Sequence, residues 1–170
     1  LNPANGFVRD MITIKGNNFT GTKGVKFGTV SAIFTLASDN NSISATVPQG
    51  TGTVNVSATN KTGTSLDIPQ DDFKYNPKLT KLVLSTGKPG DTIELQGDNF
   101  TNVSTVKFRT VNATFTVTSP TSIMVTVPTT IGKVPVTVTN NLATSKVSNS
   151  TYFTFAPNIS PGRVILPAAF

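Results

Sequence analysis

The chain carries one sequence pattern twice, and this internal repeat limits the possible folds more than any other feature. Matching segments follow one another in the same order in both copies: residues 14–20 with 95–101, 25–27 with 106–108, 46–48 with 126–128, and 73–75 with 153–155. Repeats of this kind are single supersecondary units or small domains placed one after another. The sequence therefore predicts two similar small domains rather than one large domain.

Within each copy, short stretches alternate between polar and apolar residues. In the second copy Ile93 and Leu95 are apolar, whereas Glu94 between them is the only glutamate in the chain. Alternation with a period of two is typical of strands that have one buried face. We therefore expect an all-β fold of two tandem immunoglobulin-like β-sandwiches. The strands expected in the second copy are 79–85, 91–97, 105–109, 112–118, 122–127, 133–139, 143–147 and 151–155.

Aromatic residues recur at equivalent positions, which favours packing in a core over an exposed sugar-binding platform. The equivalent positions are Phe19, Phe27, Phe34, Phe73 and Tyr75 in the first copy, and Phe100, Phe108, Phe115, Phe153 and Phe155 in the second. Tyr152 has no counterpart. Gly16 and Gly97 each precede such an aromatic residue, at a turn where we expect a positive φ angle.

The succession of residues 90–100, 106–108, 122–128 and 132–138, closed by Phe153 and Phe155, resembles an IPT/TIG domain. The first copy is similar to the same family from Asp10 to Tyr75. Arg109 departs from the family pattern, which commonly has the glycine that Gly28 supplies in the first copy. The resemblance implies an immunoglobulin-like sandwich that acts as a spacer or an interaction module. Such modules occur in surface receptors, bacterial surface proteins, polysaccharide-acting enzymes and some transcription factors.

The repeat also predicts domain boundaries. The first sandwich is expected at 1–76, with its opening strand missing or truncated, and the second at 77–156. Residues 157–170 then form a linker and either the first strand of a third repeat or a strand donated to another subunit. In the second case Val164, Ile165 and Leu166 form the donated strand and join subunits by strand addition. We favour the longer repeat array.

Composition excludes several kinds of chemistry. The chain has no cysteine and no histidine, which removes Ser-His-Asp and Cys-His catalysis and metal sites built on those ligands. The aspartates lie beside turns, where they are expected to cap backbone N–H groups rather than act as catalytic acids. We expect no catalytic residue, no cofactor and no metal, and hence no enzyme. The lysines are scattered singly, so nucleic-acid binding is not expected, and no apolar run is long enough for membrane insertion.

Asparagine-x-serine/threonine triplets are frequent and have two interpretations. They are either glycosylation sites of an extracellular or virion-surface protein, or a by-product of strands and turns rich in asparagine and threonine. The candidate sites are Asn18, Asn40, Asn55, Asn60, Asn99, Asn102, Asn112, Asn149 and Asn158.

These observations favour a non-catalytic structural or adhesive module. We expect a segment of an extended repeat array, at a cell or virion surface, that acts as a spacer or connects subunits, with neighbouring repeats or subunits of the same protein as partners. The alternative is a module that recognises a surface glycan or protein, such as an accessory domain of a larger polysaccharide-active protein. In that case the loops 20–23 and 102–105 would carry specificity.

Overall fold

The computed structural model describes residues 1–156, and these form two β-sandwiches in succession. The first contains eight strands: β1 (Asn5–Gly6), β2 (Met11–Lys15), β3 (Gly24–Phe27), β4 (Val30–Ser31), β5 (Phe34–Leu36), β6 (Ser42–Thr46), β7 (Thr53–Thr59) and β8 (Asp72–Tyr75). The second contains nine: β9 (Lys78–Leu82), β10 (Thr86–Gly87), β11 (Thr92–Asp98), β12 (Val103–Phe108), β13 (Val111–Ala113), β14 (Phe115–Ser119), β15 (Ser122–Thr126), β16 (Lys133–Asn140) and β17 (Tyr152–Phe155).

The two sandwiches share one topology. In the first, a five-stranded sheet in the order β1-β8-β7-β3-β4 faces a three-stranded sheet β2-β6-β5. In the second, β10-β17-β16-β12-β13 faces a four-stranded sheet β14-β15-β11-β9. A short 3₁₀ turn precedes the closing strand in each, at Pro69–Asp71 and at Asn149–Thr151. The expected all-β class and the two immunoglobulin-like sandwiches are confirmed.

Each sandwich has its own apolar core between its two sheets, built from inward-facing residues of alternating strands. Aromatic rings occupy the centre of both cores in edge-to-face pairs. The ring centroids of Phe27 and Phe73 lie 5.3 Å apart, and those of Phe108 and Phe153 lie 5.4 Å apart. Eight of the ten paired aromatic residues are buried, and Phe34 and Phe115 are partly buried against the cores. The repeated aromatics therefore act in packing, as expected.

Two strand predictions were wrong. The expected strand 112–118 is divided at Thr114, because β13 pairs with β12 in one sheet whereas β14 pairs with β15 in the other. The expected strand 143–147 is absent, and only an isolated bridge joins Thr139 and Thr144. There the Ser145 Oγ accepts a hydrogen bond of 3.0 Å from the Val138 N–H, so a serine side chain takes the place of a strand partner.

The turn before the aromatic anchor also differs from the prediction. The positive φ angles lie two residues further on, at Asn18 (61°) and Asn99 (55°), and Gly16 and Gly97 do not have one. Gly97 is needed for a different reason: a Cβ atom there would overlap the backbone carbonyl of Lys78. Asparagine tolerates the left-handed region because its short polar side chain can form local hydrogen bonds.

The sheets that contain β2 and β11 differ at one edge. In the second sandwich β9 pairs with β11 along that edge. In the first sandwich the equivalent edge of β2 carries only a bridge between Asn2 and Thr13, with two backbone hydrogen bonds of 2.9 and 2.8 Å. Most of this edge of β2 therefore lacks a strand partner among residues 1–156.

Candidate functional site

The side chain of Asn99 joins the two sandwiches. Asn99 directly follows β11, is 1% exposed, and points out of the second sandwich. Its Oδ1 accepts a hydrogen bond of 2.9 Å from the Gly52 N–H, and its Nδ2 donates to the Tyr75 carbonyl oxygen. One amide group thus satisfies two backbone groups of the preceding sandwich, which is how buried polar groups avoid a desolvation cost.

The two residues whose backbone groups Asn99 binds are also hydrogen-bonded to each other within the first sandwich. The Tyr75 N–H donates to the Gly52 carbonyl oxygen over 2.8 Å, which ties the end of β8 to the loop before β7. Gly52 has a φ angle of 70°, which suits glycine and aims its N–H toward the second sandwich. The first sandwich therefore presents a preformed donor and acceptor to a single asparagine.

Further contacts surround this pair of hydrogen bonds. The Gln49 Nε2 donates to the Asp98 Oδ1 over 2.6 Å, a bond strengthened by the charge of the carboxylate. The Lys146 Nζ lies 4.6 Å from the centre of the Phe7 ring, within the range of a cation–π interaction. Between the sandwiches lies a groove of about 330 Å³, lined by Phe7, Asp10, Lys78, Leu79, Thr80, Lys146, Ser148 and Ser150. We call Asn99 and these contacts the joint.

Tyr75 contributes its backbone to the joint and its ring to the core of the first sandwich. Its ring is 1% exposed and its hydroxyl oxygen has no hydrogen-bond partner. Burial raises the pKa of Tyr75 to about 12, because the phenolate would lose its hydration. The ring fits because Gly50 has no side chain there, and a Cβ atom at Gly50 would overlap it.

The first sandwich carries an equivalent of this site that is open. Asn18 occupies the position of Asn99 in the repeat, has nearly the same φ angle, and is exposed. Its carbonyl oxygen accepts a hydrogen bond of 2.8 Å from the Asn60 Nδ2. The surrounding surface is a polar pocket of about 230 Å³, lined by Asn17, Asn18, Phe19, Thr22, Ala58, Asn60, Thr62, Gly63, Thr64 and Ser65.

The candidate glycosylation sites lie in different environments. Asn18, Asn102, Asn112 and Asn149 are exposed, and Asn40, Asn55 and Asn60 are partly buried. Asn99 is buried with both polar atoms of its amide hydrogen-bonded, so we expect no glycan there. Asn158 and the proposed subunit-joining strand Val164, Ile165 and Leu166 lie outside the described residues. Glycosylation of the other sites stays a prediction.

The carboxylates are dispersed in the part of the chain that the structure describes, and no three of them gather into a cluster that could hold a metal ion. Asp10 and Asp91 accept hydrogen bonds of 2.9 and 2.7 Å from the N–H groups of Phe7 and Lys88, so they cap turns. Burial raises the pKa of Asp71, and the neighbouring carboxylates of Asp67 and Asp72 reinforce this direction. Residues 1–156 contain no helix long and apolar enough to cross a membrane.

Several solved structures match this chain at low sequence identity and with modest structural similarity. SGBP-B from a complex xyloglucan utilization locus in Bacteroides uniformis is 17% identical with a TM-score of 0.43, over 86% of this chain and 46% of that chain. The plexin A4 extracellular region is 16% identical with a TM-score of 0.44, over 91% and 17%. The gamma-CGTase of alkalophilic Bacillus clarkii is 21% identical with a TM-score of 0.45, over 88% and 21%.

This chain thus spans less than half of each of these three structures. A search of curated proteins by sequence finds no match. The family model for the IPT/TIG domain, in contrast, matches residues 1–75 and again residues 77–155, which together make up most of the chain. The two matched segments coincide with the two sandwiches and meet at the joint, and the chain therefore belongs to the IPT/TIG domain family, with two domains in tandem.

Proposed function

We propose that the two IPT/TIG domains act as one rigid, non-catalytic unit that serves as a spacer in a repeat array on a cell or virion surface. The observation that carries this proposal is the Asn99 side chain, which is buried between the domains and bonded to backbone atoms of the first. Domains that move independently gain nothing from a polar side chain buried at their junction. In a spacer, such a side chain keeps the two ends at a fixed distance.

The chain between the domains is short enough for this bridge to control their orientation. Only Asn76 and Pro77 lie between β8 and β9, and the proline ring fixes one of the backbone angles. Because Asn99 binds a carbonyl and an N–H of the first domain, a rotation of the domains about this linker breaks both bonds. Each bond contributes about 0.5–1.5 kcal/mol net, and each group left unpaired in a buried place costs about 1–3 kcal/mol.

Replacement of Asn99 tests the proposal. Asn99→Gly keeps a backbone that tolerates positive φ and removes only the bridging amide, and Asn18→Gly makes the same change at the exposed, equivalent position. We expect the Asn99→Gly domains to tumble independently, with shorter rotational correlation times in ¹⁵N relaxation. Asn18→Gly should tumble as one body, like the wild type. Independent tumbling of the two wild-type domains would refute a rigid spacer.

Recognition of a glycan is the second candidate, and the polar pocket beside Asn18 favours it. The exposed amide side chains of Asn17 and Asn18 line it, and amides suit the hydroxyl groups of a sugar. A glycan array probed with the wild type and with Asn17→Ala tests this role. Binding that Asn17→Ala abolishes would support recognition, as an accessory domain of a polysaccharide-active protein requires, and an array without hits would argue against it.

A further inference from the structure

The second domain takes part in the joint through the face that contains Asn99, and the first domain has an equivalent face. We call both the receiving face; in the second domain it consists of Asp98, Asn99, Phe100, Asn140, Ser145 and Lys146. The repeat places Asn17, Asn18, Phe19, Asn60, Ser65 and Leu66 at the same positions in the first domain. The backbone is prepared alike in both, since Asn18 and Asn99 have φ angles of 61° and 55°.

The two receiving faces differ in burial. Asn99 and Ser145 are 1% and 4% exposed, whereas the equivalent Asn18 and Ser65 are exposed. Leu66 is 82% exposed, whereas Lys146 at the equivalent position lies against Phe7 of the other domain. The receiving face of the first domain therefore repeats the backbone conformation and the asparagine of the buried one, and it leaves Asn18 and Leu66 open to solvent.

The complementary surface is present at the other end of the chain's second domain. We call it the presenting face: Phe7, Gln49, Gly52 and Tyr75 in the first domain, and Lys88, Thr129, Gly132 and Phe155 in the second. Its hydrogen-bonding geometry is the same in both. The Phe155 N–H donates to the Gly132 carbonyl oxygen over 2.9 Å, as Tyr75 does to Gly52, and Gly132 has a φ angle of 80°.

The two side-chain pairs around these backbone groups differ in identity between the two places, but each pair is complementary in both. In the joint, Lys146 of the receiving face lies over the Phe7 ring of the presenting face. At the equivalent positions, Leu66 would face Lys88, whose four-carbon stem can cover an apolar side chain while its ammonium group stays in water. Asn17 and Thr129 replace Asp98 and Gln49, which keeps a polar pair at that place.

From these equivalences we infer that a second copy of this chain docks end to end on the first. The presenting face of its second domain covers the receiving face of the first domain. The Asn18 amide then accepts from the Gly132 N–H and donates to the Phe155 carbonyl oxygen of the neighbouring copy. The inference rests on the proposed function, because it extends the joint within one chain to a joint between two chains.

Such a contact is heterologous, so it propagates copies into a line rather than closing a dimer. It is also weak in solution. The domains within one chain meet at an effective concentration on the order of millimolar through their short linker, and separate copies lack that advantage. Assembly is therefore expected at about millimolar protein, or where copies are already lined up on a surface.

Cysteine pairs and a short bismaleimide cross-linker test the inference, since the chain has no cysteine of its own. Asn17→Cys with Thr129→Cys should give a ladder of covalent oligomers at about 1 mM protein. Thr29 lies in the exposed turn between β3 and β4, beside β7 and outside the receiving face, so Thr29→Cys with Thr129→Cys measures random cross-linking. Asn18→Ala added to the first pair should reduce its ladder to that background.

A third pair separates the inference from the proposed function. Gln49→Cys with Asp98→Cys bridges the joint and should give an intrachain product of monomer mass. If this pair reacts and Asn17→Cys with Thr129→Cys does not exceed background, the docking of a second copy is refuted and the spacer stands. If the intrachain product fails to form, the spacer fails. A ladder that Asn18→Ala leaves unchanged, or a glycan that protects Asn17→Cys from reaction, also refutes the inferred contact.

Discussion

Replacement of Tyr75 by phenylalanine should stabilise the first domain. The Tyr75 hydroxyl is buried without a hydrogen-bond partner, and the second domain has Phe155 at the equivalent position. A buried, unpaired polar group costs about 1–3 kcal/mol, and the void left by one oxygen atom returns part of that gain. We expect Tyr75→Phe to raise the free energy of unfolding by about 1 kcal/mol, which for a domain of this size is a rise in Tm of about 4–8 °C.

The stabilisation by Tyr75→Phe should increase at alkaline pH, because the folded and unfolded chains release the Tyr75 proton at different pH values. The pKa of Tyr75 is about 12 in the folded domain and 10.0 as the ordinary value, so the unfolded chain releases its proton first as the pH rises. Ionisation of Tyr75 therefore does not affect the stability of the wild type below pH 10 and lowers it as the pH rises toward 12. Tyr75→Phe removes this loss, so the difference between variant and wild type should widen over that interval.

Amide hydrogen exchange followed by NMR gives the stability of each domain separately, and thermal unfolding between pH 7 and 11 gives the pH dependence. Phe155→Tyr is the matched control, because Thr130 stands where the first domain has Gly50 and leaves no equivalent space for a hydroxyl. We expect this control to destabilise the second domain. A Tyr75→Phe variant less stable than the wild type at pH 7 would refute the reasoning, since it would mean that the hydroxyl is paired.

Three further predictions concern the backbone and the buried sequon. Arg109→Gly should stabilise the second domain by about 1 kcal/mol in urea unfolding, because Arg109 has a φ angle of 59°, and Gly28→Arg should destabilise the first by a similar amount. Gly97→Ala should lower the free energy of unfolding by about 3 kcal/mol, because its Cβ atom overlaps a backbone carbonyl. Gly16→Ala meets only a phenylalanine ring and should lower it by about 1 kcal/mol. Thermal unfolding of the two variants compares these effects. Peptide mapping of glycosylated protein should find Asn99 unmodified, and a glycan there would contradict the closed joint.

The repeat and the alternation of apolar residues were enough to predict the two sandwiches and their aromatic cores. Burial of one face of each strand places apolar residues at every second position, and this alternation is visible in the sequence. The division at Thr114 was not predictable in this way, because residues 111–119 alternate continuously although the chain changes sheets in the middle. Sequence pattern shows which face of a strand is buried, but it does not show which sheet the strand joins.

The joint could not be predicted for a related reason. Asn18 and Asn99 have the same neighbours in the sequence and the same backbone conformation, yet one is exposed and the other is buried. The difference lies in the domain that precedes Asn99, which is 47 residues away at Gly52 and 24 at Tyr75. The sequence did mark the position, because an asparagine directly precedes a core phenylalanine in both copies.

The parallel pairing of β1 with β8, and of β10 with β17, sets how the domains respond to tension. In each domain an early strand lies alongside the last strand and runs in the same direction. A force that pulls the two ends of a domain apart acts along these strands, so it slides them past one another. The bonds that tie the last strand in place, from Lys74 to Ala4 and from Thr154 to Ser85, then share the load instead of opening one by one. This arrangement of the last strand in each domain favours resistance to stretching along the chain.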